Sequence, residues 1–373
     1  MTFNQIILWI MAIGIIIGGI DKILDNKFGI GEKFEEGLNA MGPLAIGMAG
    51  LICLAPVISK IIGPIITPFC NAVGIDPAIF GSILSCDMGG YPLAVELAQN
   101  PQMGLYSGII VASMLGCAIV FIIPVGLSMI EKEDKPFFSK GVLIGMITIP
   151  FGSFVGGLVA GFDLVPLIIN TIPILIISIL LAVGIRFIPN GMIKGCTIFG
   201  RIITIIILIG LIAAGFESLT GTTIIPGMAP ISEAMGVVGS VAIVLMGTLP
   251  IMEIFMKVLD KPLKKLGQKT GLDQTSIAGL IIDLANGVPV YVMYKDMAPK
   301  GKVVNIAVMV PAACILGDHL GFTAGVAPEM ITPMIVGKLV GGILALILSF
   351  IMTRNLDNEI LQSKKIKEAE TVK

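Results

Sequence analysis

The charged residues of this 373-residue chain that could do chemistry lie inside otherwise apolar stretches. Asp87 stands in the segment SCDMGGYP, residues 85–92. Its helix-breaking and aromatic neighbours are Gly89, Gly90, Tyr91 and Pro92. A carboxylate near the centre of a bilayer costs roughly 2.5 to 3.5 kcal/mol even on lenient insertion scales, so its default explanation is a functional one. A carboxylate there favours a small cation, and the absence of arginine from the segment argues against an anionic ligand.

A second polar segment, LGDHLGF, holds Asp318 and the single histidine of the chain, His319. Adjacent residues point to different sides of a helix, so these two are not an automatic acid–base pair. Lys338, in the apolar segment PMIVGKLVGG, is an available partner for Asp318 or for Asp87. A buried Asp318–Lys338 ion pair and a His319 that bonds backbone are as consistent with the sequence as a direct role of Asp318 and His319 at a binding site.

A third segment, DLANGVP at residues 283–289, also breaks an apolar stretch. Its Asn286 either caps freed backbone groups or binds a ligand. Tyr91 could offer a cation its ring face, or a polar ligand its hydroxyl. The candidate substrate-binding residues are Asp87, Gly89, Gly90, Tyr91, Asn286, Asp318 and His319, with Lys338, Pro92 and Pro289 in structural or coupling roles.

Composition places these segments in a membrane. The chain is 55% hydrophobic and 13% charged, with a net charge of -1, and its mean hydropathy is +1.00. These values predict an all-α polytopic membrane protein and give no sign of a nucleic-acid partner. One histidine rules out a multi-histidine metal centre, and the six cysteines lack paired spacing. We therefore expect no metal and no cofactor.

Stretches of about 20 apolar residues predict full membrane spans. Nine are found, near 3–20, 38–62, 103–129, 137–161, 164–186, 198–216, 232–256, 303–325 and 330–352. Two further apolar segments, 75–97 and 272–294, are broken by SCDMGGYP and DLANGVP. Gly74, Asp76, Gly90, Pro92 and Cys117 recur as Gly271, Asp273, Gly287, Pro289 and Cys314, each pair 197 positions apart. This internal repeat predicts one transporter domain, 1–355, made of repeats near 1–160 and 198–353 joined by a linking helix at 164–186.

Basic residues predict the orientation of the chain. They cluster in alternate connectors and in the charged tail, 356–373, which we expect to be cytoplasmic. All basic connectors fall on one side only if both broken segments are re-entrant hairpins. The N-terminus is then outside, the C-terminus is inside, and the hairpins enter from opposite faces. Such inverted repeats can present one central site to two sides in turn.

Several segments resemble a known family. EEGLNAMGPLAIGMAG, SCDMGGYPLAVELA, LGDHLGF and MIVGKLVGG look like the ethanolamine utilisation membrane protein (EutH) family of bacterial permeases, from the first span to about Arg354. The resemblance implies import of ethanolamine across the cytoplasmic membrane to supply a cobalamin-dependent lyase pathway. The positions that match the family pattern are Asp87, Gly89, Gly90, Asp318, His319 and Lys338. Asp283 departs from that pattern and is left out of the expected site.

Other functions remain open. A channel or sensor for a small cation would keep the broken segments without alternating access. An intramembrane aspartyl protease would use Asp87 and Asp318, but the glycine such enzymes need at position 315 is Ile315. We expect a transporter rather than an enzyme. Proton or sodium coupling, facilitated diffusion and a homo-oligomer are all compatible with the sequence.

Overall fold

A computed structural model of the chain describes residues 2–84, 87–354 and 356, so the predicted tail lies outside it beyond Leu356. The described residues form helices and no strand. The first ten α-helices are α1 (Phe3–Ile23), α2 (Gly31–Asn39), α3 (Met41–Leu44), α4 (Gly50–Val73), α5 (Ala78–Leu84), α6 (Tyr91–Leu97), α7 (Pro101–Leu105), α8 (Ile123–Met129), α9 (Lys135–Val159) and α10 (Leu164–Phe187). The remaining seven are α11 (Pro189–Thr220), α12 (Ile231–Thr270), α13 (Gln274–Ile282), α14 (Val288–Met293), α15 (Pro299–Ala312), α16 (Asp318–Val326) and α17 (Ile331–Met352).

Eight helical stretches of the described chain are long and apolar enough to cross a membrane. They are Phe3–Ile23, Gly31–Val73, Pro101–Met129, Lys132–Val159, Leu164–Phe187, Lys194–Thr220, Ile231–Val258 and Pro328–Met352. Large apolar side chains on their outer faces, such as Trp9 on α1 and Leu180 on α10, are more than half exposed. A surface of this kind needs lipid around it. The prediction of an all-α polytopic membrane protein is confirmed.

The first broken segment folds back on itself. The Asp76 carboxylate accepts hydrogen bonds from the backbone N–H of Ala78 at 2.9 Å and of Asn100 at 2.8 Å, so the two ends of the segment meet. Between them α5 packs directly on α6, and a Cβ on Gly81 would lie 2.3 Å from Ala94 Cα. Only glycine allows this approach. The segment therefore has the hairpin shape that a re-entrant element requires.

The second broken segment closes in the same way. Asp273, the repeat partner of Asp76, accepts from the backbone N–H of Ser276 at 2.9 Å and of Ala298 at 3.0 Å. The Asn305 amide on α15 donates to the Ser276 carbonyl at 2.9 Å and so ties the start of α13 to the next helix. In each hairpin, the carboxylate at the matched repeat position thus joins the two ends of the segment. The division into inverted repeats and the faces from which the hairpins enter stay predictions.

The span predicted at 303–325 is not one helix. The chain leaves helical geometry after Ala312 and resumes it at Asp318. The freed N–H groups of Cys314 and Leu316 donate to the carbonyls of Asp283 and Leu284 at the tip of the second hairpin, both at 2.8 Å. Backbone that is unwound at membrane depth needs partners of this kind. The expectation of nine continuous spans is wrong at this position, because the backbone groups of the two broken segments form hydrogen bonds with each other.

The corresponding stretch of the first half stays helical but is wound more loosely. Tyr106–Gly116 and Ala118–Ile122, between α7 and α8, are π-helical. π-Helical turns are frequent at functional sites. A Cβ on Gly116 would lie 3.1 Å from the Asp87 backbone nitrogen, so this loose helix supports the tip of the first hairpin.

Small residues bring α9 and α17 into close contact at the centre of the fold. A Cβ on Gly152 of α9 would lie 2.6 Å from the Gly337 carbonyl oxygen of α17. Glycine contacts of this kind let membrane helices approach closely. Lys338 follows Gly337 and is fully buried, so a rigid helix pair fixes its position.

Candidate functional site

Asp87 occupies the tip of the first hairpin. A 3₁₀ turn, Asp87–Gly90, leads into α6, and Asp87 itself has a φ of 59°, in the left-handed region. Aspartate tolerates this conformation by bonding its own backbone, and Oδ1 accepts from the Met88 N–H at 2.8 Å. The side chain is 31% exposed. A strained, partly accessible carboxylate at a helix break is typical of a binding site.

His319 lies in the first turn of α16 and reaches the same carboxylate. Its Nε2 is 3.0 Å from Asp87 Oδ1, and the ring is buried. On the other side of the ring, Nδ1 is 3.0 Å from the Ala313 carbonyl oxygen and 2.8 Å from Lys338 Nζ. His319 therefore bridges the hairpin tip, the break before α16, and α17.

Lys338 completes a chain of three polar groups. Its Nζ donates to the Ser113 carbonyl at 2.6 Å and to His319 Nδ1 at 2.8 Å. With Lys338 as an ammonium, which can only donate, Nδ1 is assigned as the acceptor and Nε2 as the donor to Asp87. The histidine thus connects a buried lysine to a carboxylate. The hydrogen bonds from Met88 and His319 both fall on Oδ1, which leaves Oδ2 for Cys117 or a ligand.

The Asp318–Lys338 ion pair, one of the alternatives that the sequence leaves open, does not form among the described residues. Asp318 is exposed, whereas Lys338 is buried against His319. Helix geometry explains the difference, because consecutive residues of α16 point about 100° apart and His319 takes the inward direction. Asp318 remains within electrostatic range of Asp87 and of Glu36. Lys338 is the partner of Asp87, through His319.

The other predicted site residues have separate surroundings. Gly89 and Gly90 are buried in the tip turn. Tyr91 packs edge-on against Phe322, with ring centroids 6.2 Å apart, and with Pro92 lines a cavity of about 480 Å³ that also holds Glu96, Glu233 and Ser240.

Asn286 and Pro289 lie at the tip of the second hairpin, where α14 begins. Asn286 is exposed, and its Oδ1 accepts from the Val288 N–H at 2.9 Å. Its carboxamide caps freed backbone, one of the two roles that the sequence allows. Pro289 and Pro92 sit in the first turns of their helices, where proline is well tolerated.

Three residues at or near the site are not among the candidates predicted from the sequence. Ser113 supplies a carbonyl to Lys338. Cys117 lies beside the Asp87–His319 pair, and the Sγ, carboxylate and imidazole donor atoms are all within 4.8 Å of one another. Asp283 is buried at the second tip. The 197-residue offset aligns DLANGVP with SCDMGGYP, so the carboxylate of Asp283 in the second segment is the sequence signal for a second polar tip.

The three donor atoms of Asp87, Cys117 and His319 are close enough to hold one metal ion. The Lys338 ammonium bonds the same imidazole at 2.8 Å and opposes a second cation there. The set is better suited to hydrogen bonding. A partly exposed carboxylate with buried polar support can bind a small cation that donates hydrogen bonds.

A polytopic helical fold with such a polar site at its broken helices defines a membrane transport protein. The sequence pattern of the family described as "Ethanolamine utilisation protein, EutH" matches residues 3–352, and the chain belongs to this family. It is 49% identical over 374 residues to the "Probable ethanolamine permease EutH" of Listeria monocytogenes, covering 100% of this chain and 99% of that protein.

Two further relatives cover nearly the same length. Identity is 44% to the "Uncharacterized protein YxeR" of Bacillus subtilis, with 92% of this chain and 94% of that protein aligned. It is 41% to the "Probable ethanolamine permease EutH" of Salmonella typhimurium, with 93% and 94% aligned. No solved structure matches the chain.

Proposed function

We propose that this protein imports ethanolamine across the bacterial cytoplasmic membrane and binds its ammonium group at Asp87. The observation that carries the proposal is the partly exposed Asp87 carboxylate, which is held by the imidazole of His319. An ammonium bound there gains a charge-assisted hydrogen bond. The names of the relatives in Listeria and Salmonella agree with this substrate.

Discrimination against other amines would come from the polar groups around Asp87. Ethanolamine offers one ammonium, one hydroxyl and almost no apolar surface. A ligand without the hydroxyl would leave a polar group of the site unpaired, which costs more than a missing apolar contact. His319, Cys117 and the solvated Asp318 are near enough to Asp87 to take this role.

Contacts between connectors support an outside N-terminus and an inside C-terminus. Lys302 forms an ion pair with Asp134, so the connector after the second hairpin lies beside the connector before α9. Lys257 Nζ donates to the Phe28 carbonyl at 3.3 Å. Both contacts join basic connectors that share the predicted cytoplasmic side. At the other end, the Asn4 amide donates to the Glu329 carbonyl at 2.9 Å, between two segments predicted outside.

Transport would proceed by alternating access. The tip of the second hairpin is bonded to the break that leads to His319, and His319 contacts Asp87 at the tip of the first hairpin, which supports this mechanism. A rearrangement of either hairpin would open Asp87 to one side while the other stays closed.

Uptake of radiolabelled ethanolamine into vesicles of purified protein tests the proposal. Saturable uptake that unlabelled ethanolamine competes is expected, whereas uptake that does not saturate would indicate a channel. Asp87→Asn keeps the shape of the tip but removes its charge. Loss of a charge-assisted bond, about 1.5 to 3 kcal/mol, should weaken the apparent affinity tenfold or more.

Asp163→Asn is the matched control, because Asp163 is an exposed loop carboxylate far along the chain from the site. This variant should behave as the wild type does. An Asp87→Asn protein that inserts normally and takes up ethanolamine with unchanged concentration dependence would remove Asp87 from the site.

A further inference from the structure

Asp283 is a buried carboxyl group that the proposed binding step does not use. It follows α13 at the tip of the second hairpin, and its backbone carbonyl accepts from the Cys314 N–H. The side chain is 1% exposed. Neither carboxyl oxygen has a hydrogen-bond partner in the described part of the chain. A group of this kind is rare in membrane proteins and calls for a function.

The surroundings of Asp283 favour a neutral carboxylic acid. Tyr291 on α14 and Cys314 after α15 face it but carry no charge, and the Tyr291 hydroxyl donates to the Ile122 carbonyl instead. Among the described residues, Lys338 on α17 is the charged group that acts on it. An ionised carboxylate without hydrogen-bond donors is costly in such a place, whereas its protonated form costs much less.

The same surroundings argue for a proton rather than a sodium ion. A hard metal cation needs several oxygen ligands. A Cβ on Gly287 would lie 3.3 Å from Asp283 Oδ1 and 3.5 Å from Met309 Cε, so one side of the carboxyl is covered by backbone carbon and a thioether. The Asp283 and Leu284 carbonyls are already engaged by Cys314 and Leu316.

Charge balance links Asp283 to the binding site. Lys338 is within electrostatic range of both Asp87 and Asp283. Without substrate, the Asp87 anion and the Lys338 cation cancel, while Asp283 is neutral; Asp318, whose side chain is exposed, lies outside this buried set. A substrate ammonium adds one positive charge to a buried site, where an unbalanced charge is expensive.

We infer that Asp283 is a proton-release site, which gives up one proton when the substrate ammonium binds at Asp87. The O–H bond of the Asp283 carboxyl breaks, its electron pair stays on the carboxylate, and the proton passes to water on the side to which the site is open. Lys338 is then the counter-charge of the Asp283 carboxylate, while the substrate ammonium is the counter-charge of Asp87. The buried charge is zero before and after binding. This inference rests on the proposed function and makes the import of ethanolamine an exchange for a proton.

Counting the protons that the purified protein releases in lipid nanodiscs tests whether Asp283 is a proton-release site. Ethanolamine is added at about pH 7, where an alkyl amine remains protonated, and a pH indicator in weak buffer reports protons released per ethanolamine bound. The wild type should release about one proton. Asp283→Asn should bind ethanolamine more weakly, so it is measured at saturating ethanolamine, and it should release close to none. Asp283→Glu should retain release, and Asp163→Asn should match the wild type.

Affinity measured against pH gives a second readout. Because binding releases a proton, the association constant of the wild type should rise with pH, by up to tenfold per pH unit. That of Asp283→Asn should be nearly flat. Equal proton release by wild type and Asp283→Asn would overturn the inference, as would tight ethanolamine binding to the wild type without release. The latter result leaves the proposed function standing, whereas failure to bind ethanolamine at all overturns both.

Thermal unfolding separates proton release from a structural role. If Asp283 is neutral in the empty protein, Asp283→Asn replaces one neutral group by another of the same shape and should unfold at nearly the same temperature. If Asp283 is instead the ionised partner of Lys338, the substitution leaves a buried charge uncompensated and should lower the unfolding temperature clearly. The second outcome contradicts the inference.

Discussion

Lys338→Met removes the cation from the polar chain that ends at Asp87. The side chain is fully buried, so the methionine fills similar volume, but the Asp87 carboxylate loses the buried counter-charge that the lysine supplies. Lys338 Nζ lies 2.8 Å from one ring nitrogen of His319 and Asp87 Oδ1 lies 3.0 Å from the other, so the charges are at most roughly 8 Å apart. At an effective dielectric constant of about 20, their attraction is about 2 kcal/mol.

A double-mutant cycle measures this attraction. The free energy of unfolding is determined in mixed micelles for the wild type, Lys338→Met, Asp87→Asn and the double variant. Each single variant leaves one charge uncompensated, so the double variant should lose about 2 kcal/mol less than the sum of the single losses. The expected coupling energy is favourable and large enough to resolve.

Two further cycles calibrate the result. Lys302 and Asp134 form a direct buried ion pair and should couple at least as strongly. Lys338→Met combined with Asp318→Asn should be nearly additive, because Asp318 is exposed and forms no ion pair with the lysine in the described part of the chain. Additivity within about 0.5 kcal/mol for Lys338 and Asp87, or strong coupling of Lys338 to Asp318, would refute the assignment of the histidine as a bridge.

Two other predictions concern the hairpins. Single cysteines at Gln99 and Thr220 should react with impermeant thiol reagents from outside and one at Lys295 only from inside; external labelling at Lys295 would contradict the re-entrant arrangement. Burial opposes ionisation of Asp273, but hydrogen bonds from Ser276 and from the Ala298 N–H outweigh it and lower the pKa of that carboxyl. The ionised Asp273 therefore stabilises the folded protein above about pH 4, and this stabilisation should be lost as pH falls through the folded-state pKa. The unfolding temperature of Asp273→Asn should then fall less in acid than that of the wild type. An equal fall in both proteins would show that Asp273 does not hold the hairpin.

Much of the site could be predicted because membrane sequence makes polar residues conspicuous. Asp87, His319 and Lys338 each interrupt an apolar stretch, and the structure brings the three together. Their pairing could not be predicted. Whether position 318 or 319 faces the core depends on where α16 begins, and that start is set by hydrogen bonds to a distant hairpin rather than by local sequence.

The broken span at 303–325 shows the same limit. Its composition is apolar enough for one helix, and Pro311 and Gly317 are weak signals in membrane sequence. The break becomes favourable only because the Asp283 and Leu284 carbonyls accept the freed N–H groups. Asp283 departs from the family pattern, although its position in the repeat and its charge both point to the second tip.

The two hydrogen bonds between the second hairpin and the residues before α16 have a mechanical consequence. They couple the tip of the second hairpin to the start of α16, which carries His319. Lys338, by contrast, is anchored by the glycine contact between α9 and α17. A tilt of the second hairpin would therefore move the imidazole relative to Asp87, so under the proposed alternating access the movement that opens a path for the ligand would also change how strongly the ligand is held.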